Sequence, residues 1–261
     1  MKEKFREVLE ILGKKIGLGE SITIDFNIAK LYTTTKIDIP IIIERAVTPG
    51  PTLLITAAIH GDEINGVEIV RQLIARKINK PKRGTIICIP ILNVFGFINT
   101  ERAFPDGRDL NRSFPGTKKG SLASRVAYHF TNQILPHADY CLDFHTGGAS
   151  RFNAAQIRVT PGDDELLKLA KIFNAPFTVL SNKLKKSYRA TCHKIGTPII
   201  LFEGGKSLES NKQIVNYGVR GTKRFLNSLG MLDAKFKVTK PLKDTVVIEK
   251  TKWIRAQKSG L

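Results

Sequence analysis

The sequence has few acidic residues, few cysteines and no long apolar run. It contains 23 aspartates and glutamates against 42 lysines and arginines, and only three cysteines. No apolar run approaches the roughly 20 residues that cross a bilayer, which argues against an integral membrane protein. Cys88, Cys141 and Cys192 are far apart and odd in number, which favours reduced thiols over a disulfide framework. We therefore expect a soluble cytoplasmic protein with no membrane partner.

The shortage of acidic residues leaves a formal charge of +19 and a pI of about 10.0. Such a charge is typical of nucleic-acid-binding domains. The lysines are scattered, however, and aromatic residues do not interleave with them as a stacking platform requires. A positive field also attracts small anionic molecules. We therefore expect a small anionic substrate, and not a nucleic acid, as the main partner, and the sequence is compatible with a homo-oligomer.

Apolar strands alternate with helical patterns between residues 53 and 230, which predicts an α/β domain. We expect a mixed, mostly parallel central sheet with helices on both faces. Before this region, an amphipathic pattern predicts a helix over residues 2–16. A strand is predicted over residues 37–44, and Pro40 within it favours a position at the edge of the sheet.

The stretch His60-Gly-Asp-Glu63 lies in a predicted turn between the apolar strand at residues 53–59 and a helix that begins near Ile64. One imidazole and one carboxylate three residues apart can face the same cation. Two histidines and one carboxylate with an open fourth position form a catalytic zinc arrangement, so this stretch could supply two of three ligands. The same stretch could instead cap the helix, because Asp62 and Glu63 favour a helix N-terminus electrostatically.

Polar residues follow several of the predicted buried strands directly. His60, Asn93, His145 and Glu203 each lie at the carboxyl end of an apolar run. Ligands of open α/β sheets bind in the crevice beyond those ends. Asp143 shares a strand face with His145 and could therefore orient its imidazole. The sequence thus predicts a functional site at this edge of the sheet.

Residues 93–120 form a long predicted loop, and loops of that length inside compact domains are usually functional. An arginine fork binds carboxylates, so the adjacent Asn111 and Arg112 could hold an anionic group. Arg102 or Arg108 could stabilise a developing oxyanion. A solvated basic loop would have the same composition.

Five motifs occur in order along the chain. They are H-G-D-E-I-N-G-V-E from His60, P-I-L-N ending at Asn93, R-A-F-P-D-G-R-D-L-N-R-S-F-P-G from Arg102, D-F-H-T-G from Asp143 and F-E-G-G from Phe202. Together they resemble the succinylglutamate desuccinylase/aspartoacylase family of the zinc carboxypeptidase clan. The resemblance implies a zinc carboxypeptidase-like fold. It also implies a zinc-dependent deacylase that hydrolyses the amide bond of an N-acyl amino acid or a related small compound.

The resemblance also implies a metal centre and a catalytic base. One zinc ion per chain would be held by His60, Glu63 and His145, and Glu203 matches the general base. Metal and base together would activate water for attack on the scissile carbonyl.

The substrate-binding residues follow from the same resemblance. Arg102 matches the carbonyl-polarising arginine, with Arg108 as the alternative. Asn111 and Arg112 match the pair that holds the substrate carboxylate. Arg189 resembles a further substrate-binding arginine. Arg158 is a weaker match to such a residue.

Residues 1–232 are predicted to form the catalytic domain, and residues 233–261 the start of a C-terminal β segment that we expect to be truncated. Two other functions stay open. A metallocarboxypeptidase-like enzyme that trims acidic residues from a peptide or protein would use the same ligands. A non-enzymatic zinc-binding or nucleic-acid-binding protein would use the basic surface.

Overall fold

The structure is a computed structural model that describes residues 8–30, 33–252 and 258. The strands are β1 Leu9–Ile11, β2 Lys14–Ile16, β3 Ser21–Lys30, β4 Lys36–Arg45, β5 Thr52–Ala57, β6 Thr85–Ile89, β7 Tyr140–Gly147, β8 Asn153–Val159, β9 Phe177–Leu180, β10 Ile199–Lys206 and β11 Val246–Ile248. The α-helices are α1 Ile64–Ala75, α2 Val94–Asn99, α3 Leu122–His129, α4 Asp164–Phe173, α5 Tyr188–Ile195 and α6 Lys212–Ser228.

Strands β3 to β11 form one sheet in the order β11-β9-β8-β10-β7-β5-β6-β4-β3. Its central pairs, β6–β5, β5–β7 and β7–β10, are parallel, as are β8–β9 and β9–β11. The pairs β10–β8, β6–β4 and β4–β3 are antiparallel. The predicted mixed, mostly parallel sheet is therefore confirmed.

Two apolar clusters cover the two faces of the sheet. Successive residues of β5 alternate between them, with Leu53 and Ile55 in one cluster and Leu54 in the other. Helices α1, α4 and α6 pack with the cluster that contains Leu53. Helices α3 and α5 pack with the cluster that contains Leu54. Burial on both faces explains why β5 and β6 are almost continuously apolar. The predicted helices on both faces are confirmed.

The carboxyl ends of β5, β7 and β10 meet at one edge of the sheet, because these neighbouring strands run parallel. Glu203 on β10 lies opposite His145 on β7 in the strand register. His60 follows β5 after two residues. The fold thus brings three candidate site residues from distant parts of the chain to a single edge.

The predicted N-terminal helix is wrong over residues 9–16, where the chain forms the hairpin β1–β2; residues 1–7 lie outside the described part. Its two turn residues, Leu12 and Gly13, have φ values of 50° and 74°. A two-residue hairpin of type I′ requires positive φ at both positions. Leu9 and Ile11 are buried around the exposed Glu10, so the pattern has the period of a strand.

Two further predictions need correction, the edge position of β4 and the irregular loop at residues 93–120. Strand β4 is not an edge strand, because it pairs with β3 and β6. Pro40 is tolerated there because the pairing with β6 spans only residues 42–45, so Pro40 has a partner on one side. The loop predicted at residues 93–120 also contains α2 and a single 3-10 turn, Leu110–Arg112.

The C-terminal region adds a strand to the main sheet. Strand β11 pairs parallel with β9, in agreement with the predicted β character of residues 246–248. Residues 253–257 and 259–261 of the predicted C-terminal β segment lie outside the described residues. Among the residues that the structure describes, no helix is long and apolar enough to cross a membrane.

Candidate active site

The turn between β5 and α1 presents His60 and Glu63 to the edge of the sheet. Gly61 in this turn packs against α2, and a Cβ atom there would lie 1.9 Å from the carbonyl carbon of Gly96. The turn can therefore approach α2 only with glycine at this position. Glu63 occupies the N-cap position of α1, but its side chain makes no capping hydrogen bond. A side-chain hydrogen-bond cap of α1 by Glu63 is therefore not observed.

The carboxylate of Glu63 lies between two imidazoles instead. Its Oε1 is 2.7 Å from Nδ1 of His60, and its Oε2 is 2.9 Å from Nδ1 of His145. The backbone N–H of Thr146 also donates to Oε2. Glu63, His60 and His145 are all buried, with relative exposures of 2%, 2% and 4%. A strand end, a turn and a helix start thus assemble a compact, water-poor cluster.

A second carboxylate holds the outer nitrogen of each imidazole. Nε2 of His60 is 3.0 Å from Oδ1 of Asp109, and Nε2 of His145 is 2.8 Å from Oδ2 of Asp143. Asp143 also accepts a hydrogen bond of 2.7 Å from the hydroxyl of Thr56 on β5. Carboxylates placed in this way fix the orientation of a metal-binding imidazole. Asp143 has the position that its shared face with His145 predicted.

The carboxylates around the imidazoles favour positive charge in this cluster. Burial would lower the pKa of His60 and His145, but the neighbouring carboxylates outweigh burial and raise both pKa values. Burial would likewise raise the pKa of Glu63, but the two imidazoles hold that pKa far below its usual range. The pKa of Asp109 is also lowered, against the effect of its burial, by His60 and Arg102.

The donor set fits a divalent metal ion. One ligand atom from each of His60, Glu63 and His145 can be chosen so that the three lie within 4.8 Å of one another. Two imidazole nitrogens and one carboxylate oxygen are the donors of catalytic zinc sites with an open fourth position. The negative charges of Asp109 and Asp143 beside the imidazoles would also attract a cation. These three residues could therefore hold a zinc ion.

Glu203 lies in the same cavity as the metal-binding candidates. Its Oε2 accepts hydrogen bonds of 2.8 Å from Nδ2 of Asn153 and from Nη2 of Arg158. Its side chain is 18% exposed, so the carboxylate is sheltered and still reaches the cavity. A carboxylate held in this way can exchange a proton with a bound molecule.

The structure separates the two arginines that the sequence left as alternatives. Arg102 donates to both Asp109 and Glu63, at 2.9 Å and 3.4 Å, and its side chain lines the cavity. Arg108 is 64% exposed, lies 3.9 Å from Asp106 and is not among the lining residues of the cavity. Arg102 is therefore the one of the two placed to act on a bound carbonyl.

Asn111 and Arg112 line the cavity and belong to the 3-10 turn Leu110–Arg112. Oδ1 of Asn111 accepts a hydrogen bond from the backbone N–H of Tyr188, at 3.0 Å. Because the amide oxygen is held, the amide nitrogen is the group available for a ligand. Nη1 of Arg112 donates to the backbone carbonyl of Asn111, which holds the guanidinium of Arg112 against the turn.

Arg189 lies on α5 and is only 6% exposed. Its guanidinium donates to three neutral oxygens, Oγ1 of Thr160 and both Oγ and the carbonyl of Ser181. Burial and the nearby Arg158 lower its pKa to about 10. Arg189 therefore carries a buried positive charge at the wall of the cavity.

One cavity of about 610 Å³ connects these groups. It is lined by five arginines and three carboxylates, together with His60 and His145; the charged lining residues are Arg102, Arg112, Arg151, Arg158, Arg189, Glu63, Asp109 and Glu203. The volume suits a small molecule. The surplus of arginine suits an anionic one.

Sequence reasoning assigned no role to Asp109, Asn153 and Thr146. Asp109 is 49 residues from His60 in the chain and lies in the irregular loop, where no periodic pattern fixes its direction. Asn153 contacts Glu203 only because β8 and β10 are antiparallel neighbours. The sole hint in the sequence is the position of Asp109 between arginines, two residues before Asn111.

A family model described as the succinylglutamate desuccinylase/aspartoacylase catalytic domain matches residues 49–229. The chain belongs to the succinylglutamate desuccinylase/aspartoacylase family. The matched region contains the metal-binding candidates, the arginine loop and Glu203. A curated relative, the N-alpha-acetyl-L-2,4-diaminobutyric acid deacetylase of Halomonas elongata, is 29% identical over 197 residues. That alignment covers 72% of this chain, and the chain spans 58% of the length of the relative.

Solved structures of the family are similar to this fold. A succinylglutamate desuccinylase/aspartoacylase from Rhodobacter sphaeroides is 26% identical, with a TM-score of 0.72 over 82% of this chain and 67% of that chain. The product-bound ectoine utilization protein EutE (DoeB) from Ruegeria pomeroyi has a TM-score of 0.75, at 24% identity over 89% of this chain and 72% of that chain. At that identity, the second similarity concerns the fold alone. The family and the fold agree with the resemblance of the sequence motifs.

Proposed function

We propose that this family member is a zinc-dependent hydrolase that cleaves the amide bond of a small, anionic N-acyl amino acid. The observation that carries the proposal is the convergence of His60, Glu63 and His145 in a cavity that also contains Glu203. The Halomonas elongata relative is named as a deacetylase of an N-acetylated amino acid, which supports an amide substrate. Because the chain spans 58% of that relative, the activity of the whole protein belongs to the proposal.

Glu203 is the proposed general base and acid. His60, Glu63 and His145 would hold a zinc ion, which would lower the pKa of a water molecule to about 7 and would polarise the scissile carbonyl. Glu203 accepts the proton of the attacking water and returns it to the leaving amine. Its exposure to the cavity and its fixed Oε2 suit this proton transfer.

Arg102 is proposed to stabilise the negative charge that develops on the scissile carbonyl oxygen. Its guanidinium is anchored by Asp109 and also contacts Glu63, so the positive charge stays beside the proposed metal ligands. An anchored donor contributes more to catalysis than a mobile one, because it needs no reorganisation during the reaction.

Asn111 and Arg112 are proposed to bind the carboxylate of the amino acid. Both line the cavity, and the amide oxygen of Asn111 is already occupied by Tyr188, which leaves N–H donors for the ligand. Binding at this pair would orient the substrate so that its amide faces the metal-binding residues. Arg189 is proposed as a further substrate-binding residue on the cavity wall.

The test is a hydrolysis assay of protein whose zinc content has been measured. Zinc-loaded protein is incubated with N-acetyl and N-succinyl amino acids and with a γ-glutamyl peptide, and release of free amine is quantified. The expected result is turnover of an N-acyl amino acid that a chelator abolishes and added zinc restores. Turnover of the peptide alone would favour the acidic-residue metallopeptidase, and no turnover of any substrate by zinc-loaded protein would reject the proposal.

A cytoplasmic location remains part of the proposal. Cys88, Cys141 and Cys192 are all buried free thiols, and burial raises the pKa of Cys88 to about 12. Unpaired cysteines are compatible with a reducing compartment.

A further inference from the structure

Two side chains from one strand hold the carboxylate of Glu203. Nη2 of Arg158 and Nδ2 of Asn153 both donate to Oε2, each at 2.8 Å. Among the described residues, none donates to Oε1. The carboxylate therefore has one fixed oxygen and one oxygen left to act on a molecule in the cavity.

The register between β8 and β10 explains this arrangement. Leu201 pairs with Arg158, Glu203 with Gln156 and Gly205 with Asn153. Arg158 is therefore a diagonal neighbour of Glu203 in the regular register, two residues from Gln156. Asn153 is three residues from Gln156 on the other side, and a register shift between Glu203 and Gly205 places it opposite Gly205. Diagonal pairs lie about 7–8 Å apart, a distance that long side chains can bridge. The alternation of side chains along β8 brings Arg158 to Glu203, and the register shift brings Asn153 to the same carboxylate.

The contacts of Arg158 are directed at Glu203. The one hydrogen bond of its guanidinium to a described residue goes to Oε2, and its buried Nε has no hydrogen-bond partner within the described part of the chain. Asn153 likewise makes its side-chain hydrogen bond to Oε2. Arg189, by contrast, is fixed by three neutral oxygens of its surroundings. The side chain of Arg158 therefore contributes little to the scaffold apart from its ion pair.

We propose that Arg158 is a positioning residue for the general base, with Asn153 as the second donor. Together they fix Oε2 of Glu203 so that Oε1 faces the attacking water. This inference rests on the proposed role of Glu203 as the base. Without the guanidinium, the carboxylate could rotate away from the water, and a displacement of about 1 Å in such a group can cost 100-fold in rate.

The same arginine could instead bind a second anionic group of the substrate together with Arg189, because both line the cavity. The two roles differ in kinetics. Loss of a positioning contact lowers kcat with little change in KM, whereas loss of a binding contact raises KM. The structure favours the positioning role, because the one hydrogen bond that the Arg158 guanidinium makes within the described residues is already directed at Glu203.

The kinetic test compares Arg158→Gln, Arg158→Lys, Arg158→Ala and Asn153→Ala with wild type on one N-acyl amino acid that wild type hydrolyses. We expect Arg158→Gln to lower kcat by about 10- to 100-fold with KM within about twofold. Arg158→Lys keeps one charged donor and should recover part of the loss, and added guanidinium ion should partly rescue Arg158→Ala. Arg220→Gln, an exposed arginine on α6, is the matched control and should leave kcat unchanged.

A double-mutant cycle supplies a readout that does not depend on turnover. Thermal unfolding of metal-free wild type, Arg158→Gln, Glu203→Gln and the double variant should be non-additive, because Arg158 and Glu203 contact each other directly. The double variant should also have the kcat of Glu203→Gln, since Arg158 acts through Glu203. Additive shifts in Tm would overturn the proposal even if wild type were inactive.

Three kinetic results would also overturn the proposal while leaving the proposed hydrolase intact. They are an unchanged kcat in Arg158→Gln, a rise in KM at unchanged kcat, and a further loss of kcat when Arg158→Gln is added to Glu203→Gln. A rise in KM confined to substrates with a second carboxylate would assign Arg158 to an anion subsite. Inactivity of zinc-loaded wild type on every substrate would reject the hydrolase itself, so the two failures are distinguishable.

Discussion

The cavity has two halves that differ in how their charges are paired. In the metal half, His60, Glu63 and His145 are buried, and both nitrogens of each imidazole face a carboxylate. In the arginine half, Arg158 and Arg189 each have a buried Nε without a hydrogen-bond partner in the described chain. Every imidazole nitrogen in the metal half therefore has a partner. The arginine half contains guanidinium N–H groups without a partner in the described chain.

This difference indicates that the two halves of the cavity have different roles. Paired charges in a buried site fix the positions of their side chains, as a metal with defined coordination geometry requires. Surplus donors on a cavity wall have no such internal partner and gain one when an anionic molecule binds. We therefore expect variants in the metal half to affect the metal and kcat, and variants in the arginine half to affect KM. Arg158 would be the exception, because it faces Glu203.

The largest effect is expected from His145→Ala. The variant removes one of the three proposed ligands, leaves Asp143 without its imidazole partner and leaves Glu63 with His60 as its one imidazole partner. Bound zinc should fall to background, and hydrolysis should fall about 1,000-fold or more, because a catalytic metal contributes several kcal/mol to transition-state stabilisation. Metal analysis by mass spectrometry checks the first result and a steady-state assay the second.

A control separates loss of metal from loss of fold. His193→Ala changes an exposed histidine on α5 and should bind zinc as wild type does. If His145→Ala unfolds, His145→Gln keeps a polar side chain in the cluster and tests the same ligand. Full zinc content in a folded His145 variant would contradict the ligand set.

The next effect in size is expected from Glu203→Gln, which removes the proposed proton acceptor and retains the shape of the side chain. We expect kcat to fall by about 100- to 10,000-fold, with zinc content unchanged. The matched control is Glu209→Gln, a 54% exposed glutamate six residues further along the chain. Wild-type turnover in Glu203→Gln would show that another group is the base.

An intermediate effect is expected from Asp109→Asn. The variant removes the negative charge beside Nε2 of His60 and the anchor of Arg102. Loss of such a carboxylate partner typically lowers metal affinity by about 10- to 100-fold. A competition titration with a chromogenic chelator measures the affinity, and Asp106→Asn in the same loop is the control. Equal zinc affinity in both variants would mean that Asp109 does not support the metal half.

The residues of the metal half were easier to predict from the sequence than the residues that hydrogen-bond to the cavity side chains. His60 and Glu63 are three residues apart in a strand–turn–helix unit, and His145 ends an apolar strand, so short-range patterns place all three. Asp109 has no such pattern, because its position depends on the path of an irregular loop. Asn153 and Arg158 reach Glu203 only through an antiparallel register within a mostly parallel sheet. Periodicity identifies a strand but not its neighbours.

The predictions that failed for the fold have a similar cause. The helix prediction depended on Val8, Leu9 and Leu12, which have the spacing of one helical face. In the hairpin, by contrast, Leu9, Ile11 and Ile16 are the buried residues. The left-handed turn at Leu12 and Gly13 decides between them, and leucine is an unusual residue at such a position. Contacts with the rest of the core, where all three residues are buried, outweigh the local helical preference.

The smallest effect among these variants is expected in the arginine half, where Arg112→Gln is compared with Arg108→Gln. Arg112 lines the cavity beside Asn111, whereas Arg108 lies outside it and is 64% exposed. Hydrogen bonds to a charged group contribute about 1.5–3 kcal/mol, so loss of the Arg112 contact should raise KM about 10-fold or more. Zinc content and kcat should change little, because Arg112 contacts neither the metal half nor Glu203. Steady-state kinetics of both variants on one N-acyl amino acid measure the difference. Equal KM values in the two variants would remove Arg112 from the substrate site, and a loss of zinc in Arg112→Gln would mean that the two halves of the cavity are not independent.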